Sequence, residues 1–175
     1  DKAIYPRFES YNKRVDLKKV VPNIDYSGGF SMYGSKSIGN GDSLEQAELF
    51  IYKKDELFAK ASSKSFVFDK ENVLSDNTEV KIFIDEDSLG HPGLYFNYLI
   101  KSKKIALNRS GTGAYRSQFY DTYHKLDVDV SEISFNLDDS VLLFKSPPAS
   151  TYRKAIFESS SFFSKDYYRE IAMID

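Results

Sequence analysis

Binding chemistry concentrates in one short stretch of this chain, Tyr115 to His124, which holds Tyr115, Arg116, Gln118, Phe119, Tyr120, Tyr123 and His124. Tyrosine rings offer flat apolar area with a hydrogen-bonding tip, and an arginine beside them adds polar reach. Such a set suits a sugar ring or a protein partner. The expected ligand-binding surface is Tyr115, Arg116, Tyr120, Tyr123 and His124. A glycine-containing link, Ser110 to Gly113, precedes it. Loops carried on a rigid scaffold are where binding residues usually sit. In a purely structural role the same rings would fold back and cap an open end of the core.

Other candidate chemistry is thinner. His91 and His124 are the only histidines, and no metal-ligand spacing joins either to a second ligand. Asp85-Glu86-Asp87 offers oxygen ligands but lacks the calcium-loop pattern with its distal glutamate. Asp127 and Asp129 share a strand face and form a carboxylate pair of the kind glycosidases use. Strand neighbours two apart are more simply the wet face of that strand. Gly111-Thr112-Gly113 lacks the Gly-Lys-Ser/Thr ending of a phosphate loop, and no serine lies in a Gly-x-Ser-x-Gly elbow. No catalytic residue, metal or cofactor is therefore expected, and an enzyme is the last reading.

Composition narrows the class. The 175 residues suit one domain, and 41% apolar residues suffice for a core. There are 14 Phe and 13 Tyr but no Trp. A formal charge of −2 gives no general attraction to nucleic acid or an anionic membrane. No apolar run reaches the length of a spanning helix. Absence of cysteine excludes disulfides and thiol catalysis. The start at Asp1-Lys2-Ala3 leads us to expect a domain excised from a longer polypeptide, or a mature segment.

The elements that would position these residues are strands. From Thr78 to Arg109, Val80, Ile82 and Ile84 alternate with Lys81, Phe83 and Asp85. Leu94, Phe96 and Tyr98 alternate in the same way, as do Ile105 and Leu107. Side chains on a strand point to opposite faces with period two, so each run has an apolar face. The link Ile100-Lys101-Ser102-Lys103 is short enough for an antiparallel hairpin. Asp85 to Gly93 is expected as a longer loop, because Pro92 cannot serve in a central strand. Asp76-Asn77 is expected as a turn before this stretch.

Residues 1–24 read as an irregular lead-in with one edge strand near Val15 to Val21, ended by Pro22. Gly28-Gly29 predicts a bulge or close backbone approach with strand on either side. Ser37 to Asp42 reads as a loop. Hairpins are expected across Lys53-Lys54-Asp55-Glu56 and across Asp138-Asp139, with Val141 to Phe144 apolar on both faces. Leu126, Val128 and Val130 alternate with Asp127 and Asp129, Phe66 and Phe68 share a face, and Ala155 to Ser159 is the last strand. Ser164 as N-cap, with Tyr167, Tyr168, Ile171 and Ile174 on one face, predicts one short helix over 164–174. Short strands with turn signals between them predict an all-β fold, an antiparallel, jelly-roll-like β-sandwich with that C-terminal helix.

Several phrases form a recognisable set: Tyr5-Pro6-Arg7-Phe8, the runs Asp25 to Gly34, His91 to Tyr98 and Tyr120 to Val128, and Ile156 to Phe163. Together they resemble a segment of large, β-rich envelope or secreted proteins of Gram-negative bacteria. The resemblance spans nearly the whole chain. It implies a periplasmic, cell-surface or secreted setting and neighbouring domains of the same polypeptide as partners, and it implies no catalytic residues. The expected function is a non-catalytic structural or ligand-binding module of a larger envelope protein. One alternative is a carbohydrate-binding module. Another is an open β-groove of the lipid-transport-bridge type, which requires a continuous, unfilled apolar interior open at both ends.

Overall fold

A computed structural model describes residues 5–10, 13–42, 44–109, 117–145 and 155–160. The strands are β1 (Arg7–Glu9), β2 (Val15–Val21), β3 (Ile24–Tyr33), β4 (Lys36–Asn40) and β5 (Ala47–Lys53). Then come β6 (Glu56–Ser63), β7 (Ser65–Phe68), β8 (Asn72–Ile84), β9 (Asp87–Leu99) and β10 (Lys104–Asn108). β11 (Phe119–Asp121), β12 (Leu126–Asp129), β13 (Glu132–Asn136), β14 (Leu142–Lys145) and β15 (Ile156–Ser159) complete them. All join in one antiparallel sheet, as the alternation requires. The predicted helix over 164–174 lies outside the described residues.

Three strands are unusually long, and each changes partners at its middle. The first half of β3 pairs with β2 and β5, and its second half with β1 and β4. β8 pairs with β7 before its middle and with β6 after it. β9 pairs with β11 around Leu89 and Gly90, then with β10 from Tyr95 onward. Two ladders result. One runs β1-β3-β4-β7-β8-β9-β10-β13-β14, the other β2-β3-β5-β6-β8-β9-β11-β12-β15, with β3, β8 and β9 passing through both.

The long strands bend where the sequence holds its strongest backbone breakers. β3 divides at Gly28-Gly29. β8 divides at Asp76-Asn77, with one register shift across these residues, a second between Thr78 and Val80, and Asn77 at φ 49°. β9 divides at Pro92-Gly93, between the pairs His91 with Val80 and Leu94 with Thr78. A missing N–H and an αL residue are tolerated there because the ladder is already interrupted. The links β4 to β5, β6 to β7 and β12 to β13 also switch ladders on this side. One long side of the molecule is therefore a spine of crossings. At that spine Ser75 Oγ lies 2.8 Å from Ser63 Oγ and donates to the Ser65 carbonyl at 2.6 Å.

The opposite long side is bounded by hairpin turns, which form two lips. The second ladder contributes Pro22-Asn23, Lys54-Asp55 and Asp85-Glu86, with positive φ at Asn23, Lys54, Asp55 and Asp85. The first contributes the turns between β9 and β10 and between β13 and β14. Between the ladders lies the core. Val80, Ile82, Leu94, Phe96, Tyr98, Ile105, Leu107, Val128, Ile133 and Phe135 are all buried, as their alternation predicts, and Ile84 is half-buried. Tyr26 meets Phe68 edge-on at 5.5 Å, and Phe66 meets Phe96 edge-on at 6.2 Å. Tyr98 reaches across the lips, its hydroxyl donating to the Pro22 carbonyl at 2.8 Å. Burial pushes that phenol up to about 12.

Several expectations are corrected. The 1–24 lead-in holds two strands, β1 and β2. Ser37 to Asn40 is strand, not loop, because β3 and β7 pair with β4 on its two sides. Asp76-Asn77 and His91-Pro92-Gly93 bend strands without ending them, so the turn between β8 and β9 shrinks to Asp85-Glu86. The link between β13 and β14 spans Leu137 to Val141 and is longer than Asp138-Asp139 alone. β14 is an edge strand with Leu143 and Phe144 exposed. The sandwich also departs from two separate sheets, since hydrogen bonding is continuous through β3, β8 and β9.

Candidate functional site

The lips do not close over a filled interior everywhere. Between the β5–β6 and β8–β9 turns of one lip and the β13–β14 turn of the other lies a cavity of about 540 Å³. Phe58, Ile82, Ile84, Phe135 and Leu142 line its apolar floor. Phe58 is there because β5 and β6 shift register at Ile51 and Tyr52. An irregularity of this kind breaks strict alternation and re-aims a side chain. The ring of Phe58 meets Phe135 of the other ladder edge-on at 5.2 Å. Lys53, Lys54, Asp85 and Asp139 stand at the rim. Lys53 Nζ donates to the Asp139 carbonyl at 2.5 Å and lies 5.4 Å from the Phe58 ring centroid.

This volume is in the range of small-ligand sites, about 300–1,000 Å³, where apolar walls and a few polar groups are the rule. The lining holds no histidine, and its hydroxyl, Ser140, lies 3.5 Å from Lys53 Nζ. The apolar floor suits non-covalent retention of an apolar chain. Among the described residues no three His, Asp or Glu side chains converge on a metal-sized site. No helix among them is long and apolar enough to cross a membrane.

The expected aromatic surface is only partly in view. Tyr115 and Arg116 lie outside the described residues. Tyr120 on β11 and Tyr123 in the turn after it are 49% and 50% exposed. His124 follows, with Nδ1 2.8 Å from the Asp121 carboxylate and its ring edge-on to Tyr123 at 4.8 Å. Phe119 of the same stretch is buried instead. Asp129 of the carboxylate pair forms an ion pair with Arg109, so it is not free to work with Asp127.

Sequence reading missed the cleft. Ile84 and Phe135 were legible as apolar strand residues, but nothing local says that they leave a space between them. The available signal was Leu57-Phe58, two large apolar residues directly beside the charged turn Lys53 to Glu56.

His91 belongs to the spine rather than to any site. The Gly93 N–H donates to its Nδ1 at 3.0 Å, so Nε2 carries the proton and donates to the Ser117 carbonyl at 2.9 Å. The ring packs on Phe119 at 4.8 Å. Burial above all, with the nearby Arg109 cation, holds its pKa below the ordinary histidine value. The unfolded chain then binds the extra proton more readily than the fold does. His91 favours folding above the unfolded pKa of about 6.5, and this contribution is lost as pH falls through that value. Urea titrations at pH 8 and pH 5.5 check this. The stability gap between the native chain and a His91→Gln variant is expected to narrow at the lower pH, and a constant gap would refute the assignment.

No protein-family model matches the chain, and no curated protein matches it. Among solved structures it is similar to LptH of Pseudomonas aeruginosa, the LptA-homologous periplasmic component of a lipopolysaccharide transport device. Identity is 9%, the TM-score is 0.46, and the match covers 89% of this chain and 96% of that one. At that level of likeness, a reading of the cleft depends on its own residues.

Proposed function

We propose that this domain is a non-catalytic binding module of the bacterial envelope, and that it holds an apolar chain such as a lipid acyl tail in the cleft between its lips. One observation carries the reading: a cleft of about 540 Å³ lies open above the apolar side chains of Phe58, Ile84, Phe135 and Leu142. Burial of apolar ligand surface would drive binding, at roughly 25 cal/mol per Å² removed from water. The envelope setting follows the resemblance carried by the Asp25 to Gly34 and His91 to Tyr98 runs. Of the functions weighed from sequence, the open groove fits this interior better than a glycan platform does.

Titration with the fluorescent probe 1-N-phenylnaphthylamine tests the assignment. Leu142 lies half-buried on an edge strand, so Leu142→Ser removes apolar lining with little disturbance elsewhere. The variant is expected to bind about tenfold more weakly, the scale of one lost apolar side-chain contact. Tyr123→Ala, on the exposed aromatic turn, is the comparison. If that variant loses the probe and Leu142→Ser does not, the site is the aromatic surface and the cleft reading fails.

A further inference from the structure

Lys53 joins the two lips directly over the cleft. Its ammonium is held by the Asp139 carbonyl at 2.5 Å, lies 3.5 Å from Ser140 Oγ, and sits against the face of Phe58. Strand β5 and the β13–β14 turn are far apart in sequence and on different ladders, so this tie closes an opening rather than supporting one hairpin. Accepting the cleft as the binding site, we infer that Lys53 is a clasp, and that an apolar chain enters when the ammonium lets go of Asp139.

Rigidity is unequal on the two sides. The β13–β14 turn is braced within its own ladder. Asn136 Nδ2 donates to the Ser102 carbonyl at 2.9 Å, Lys103 pairs with Asp138 at 2.9 Å, and the Ser140 N–H is capped by the Asp139 carboxylate at 2.6 Å. The acceptor carbonyl is thus fixed in place. On the other side, Lys54-Asp55 is a two-residue turn with φ 51° and 64°, and Leu57 beside it is exposed. The lysine stem, with its rotatable four-carbon chain, is the part that lets the ammonium leave without moving either turn. Charged-donor hydrogen bonds and cation–π contacts are each strong enough to hold a lip and weak enough to open thermally.

Binding kinetics separate a clasp from an ordinary contact. A residue that merely touches ligand alters chiefly the dissociation rate, as most changes within one site do. Release of a clasp raises the association rate as well. Stopped-flow mixing of 1-N-phenylnaphthylamine with Lys53→Met, which keeps the stem over Phe58 but removes the ammonium, is expected to show association about tenfold faster, on the scale of one lost charged hydrogen bond. Lys53→Arg, which can still reach the carbonyl, is expected to stay near the native rate.

A second arm fixes the lips shut. The native chain has no cysteine, so Lys53→Cys with Ser140→Cys can be bridged selectively by a short bis-maleimide. Bridging is expected to slow association relative to the same unbridged variant. Unchanged association rates in Lys53→Met, or equal rates with and without the bridge, would overturn the clasp while leaving the cleft intact. Failure of the native chain and of Lys53→Met alike to bind the probe would overturn both.

Discussion

Truncation of Phe96 to alanine is expected to lower the unfolding free energy by about 3–5 kcal/mol, the range for emptying a buried phenylalanine site. Phe96 has no exposed surface, and it lies in β9 between Ser75 of β8 and Leu107 of β10. Its ring meets Phe66 of β7 edge-on, an arrangement that adds about 0.5–1.5 kcal/mol beyond area alone. The neighbours cannot collapse into the space, because β8 and β9 are each held on both sides by backbone ladders. Urea unfolding of the native chain, Phe96→Leu and Phe96→Ala measures the effect. The leucine variant should retain most of the stability. A loss below 1 kcal/mol for alanine would refute the inward register of β9.

Gly39→Ala is expected to be nearly as damaging, through overpacking, at about 2–3 kcal/mol. A methyl group at Gly39 would lie 2.5–2.6 Å from ring atoms of Tyr26, closer than real contacts allow. Neither partner can give way easily. Gly39 is held between β3 and β7, and the Tyr26 hydroxyl donates to the Gly29 carbonyl beneath the core. Burial also raises the pKa of that phenol. A double-mutant cycle with Tyr26→Leu isolates the clash. The alanine is expected to cost much less once the ring is gone. If its cost is the same in both backgrounds, the close approach is not its cause.

Most of the core was legible in the sequence, since alternation in a half-buried strand reports which side chains turn inward. Val80, Ile82, Leu94, Phe96, Tyr98, Ile105 and Leu107 were read from period two alone and are all buried. The breakers were also visible, but their consequence was not. Asp76-Asn77 and His91-Pro92-Gly93 look like strand ends, yet the chain continues in the same direction and exchanges one neighbour for another. Whether a break ends a strand or bends it depends on whether hydrogen-bond partners wait on the far side. Those partners, β6, β7, β10 and β11, lie elsewhere in the chain.

The site divides along the same line. Sequence alone determined an antiparallel, aromatic-rich, cysteine-free β chain with an inward apolar face on the runs Val80 to Ile84, Leu94 to Tyr98 and Ile105 to Leu107. Whether the rings of the Tyr115 to His124 stretch face outward or cap the core was open in the sequence, and Tyr120 and Tyr123 are exposed. Tertiary structure decided that Phe58 and Phe135 face each other across two ladders, that Lys53 spans the lips to Asp139, and that a space remains beneath them. The physical reason is that period two is a local property of one strand, carried by its own backbone geometry. A cleft is a shortfall of side-chain volume between segments distant in sequence, and it exists only after strand pairing has set where those segments lie.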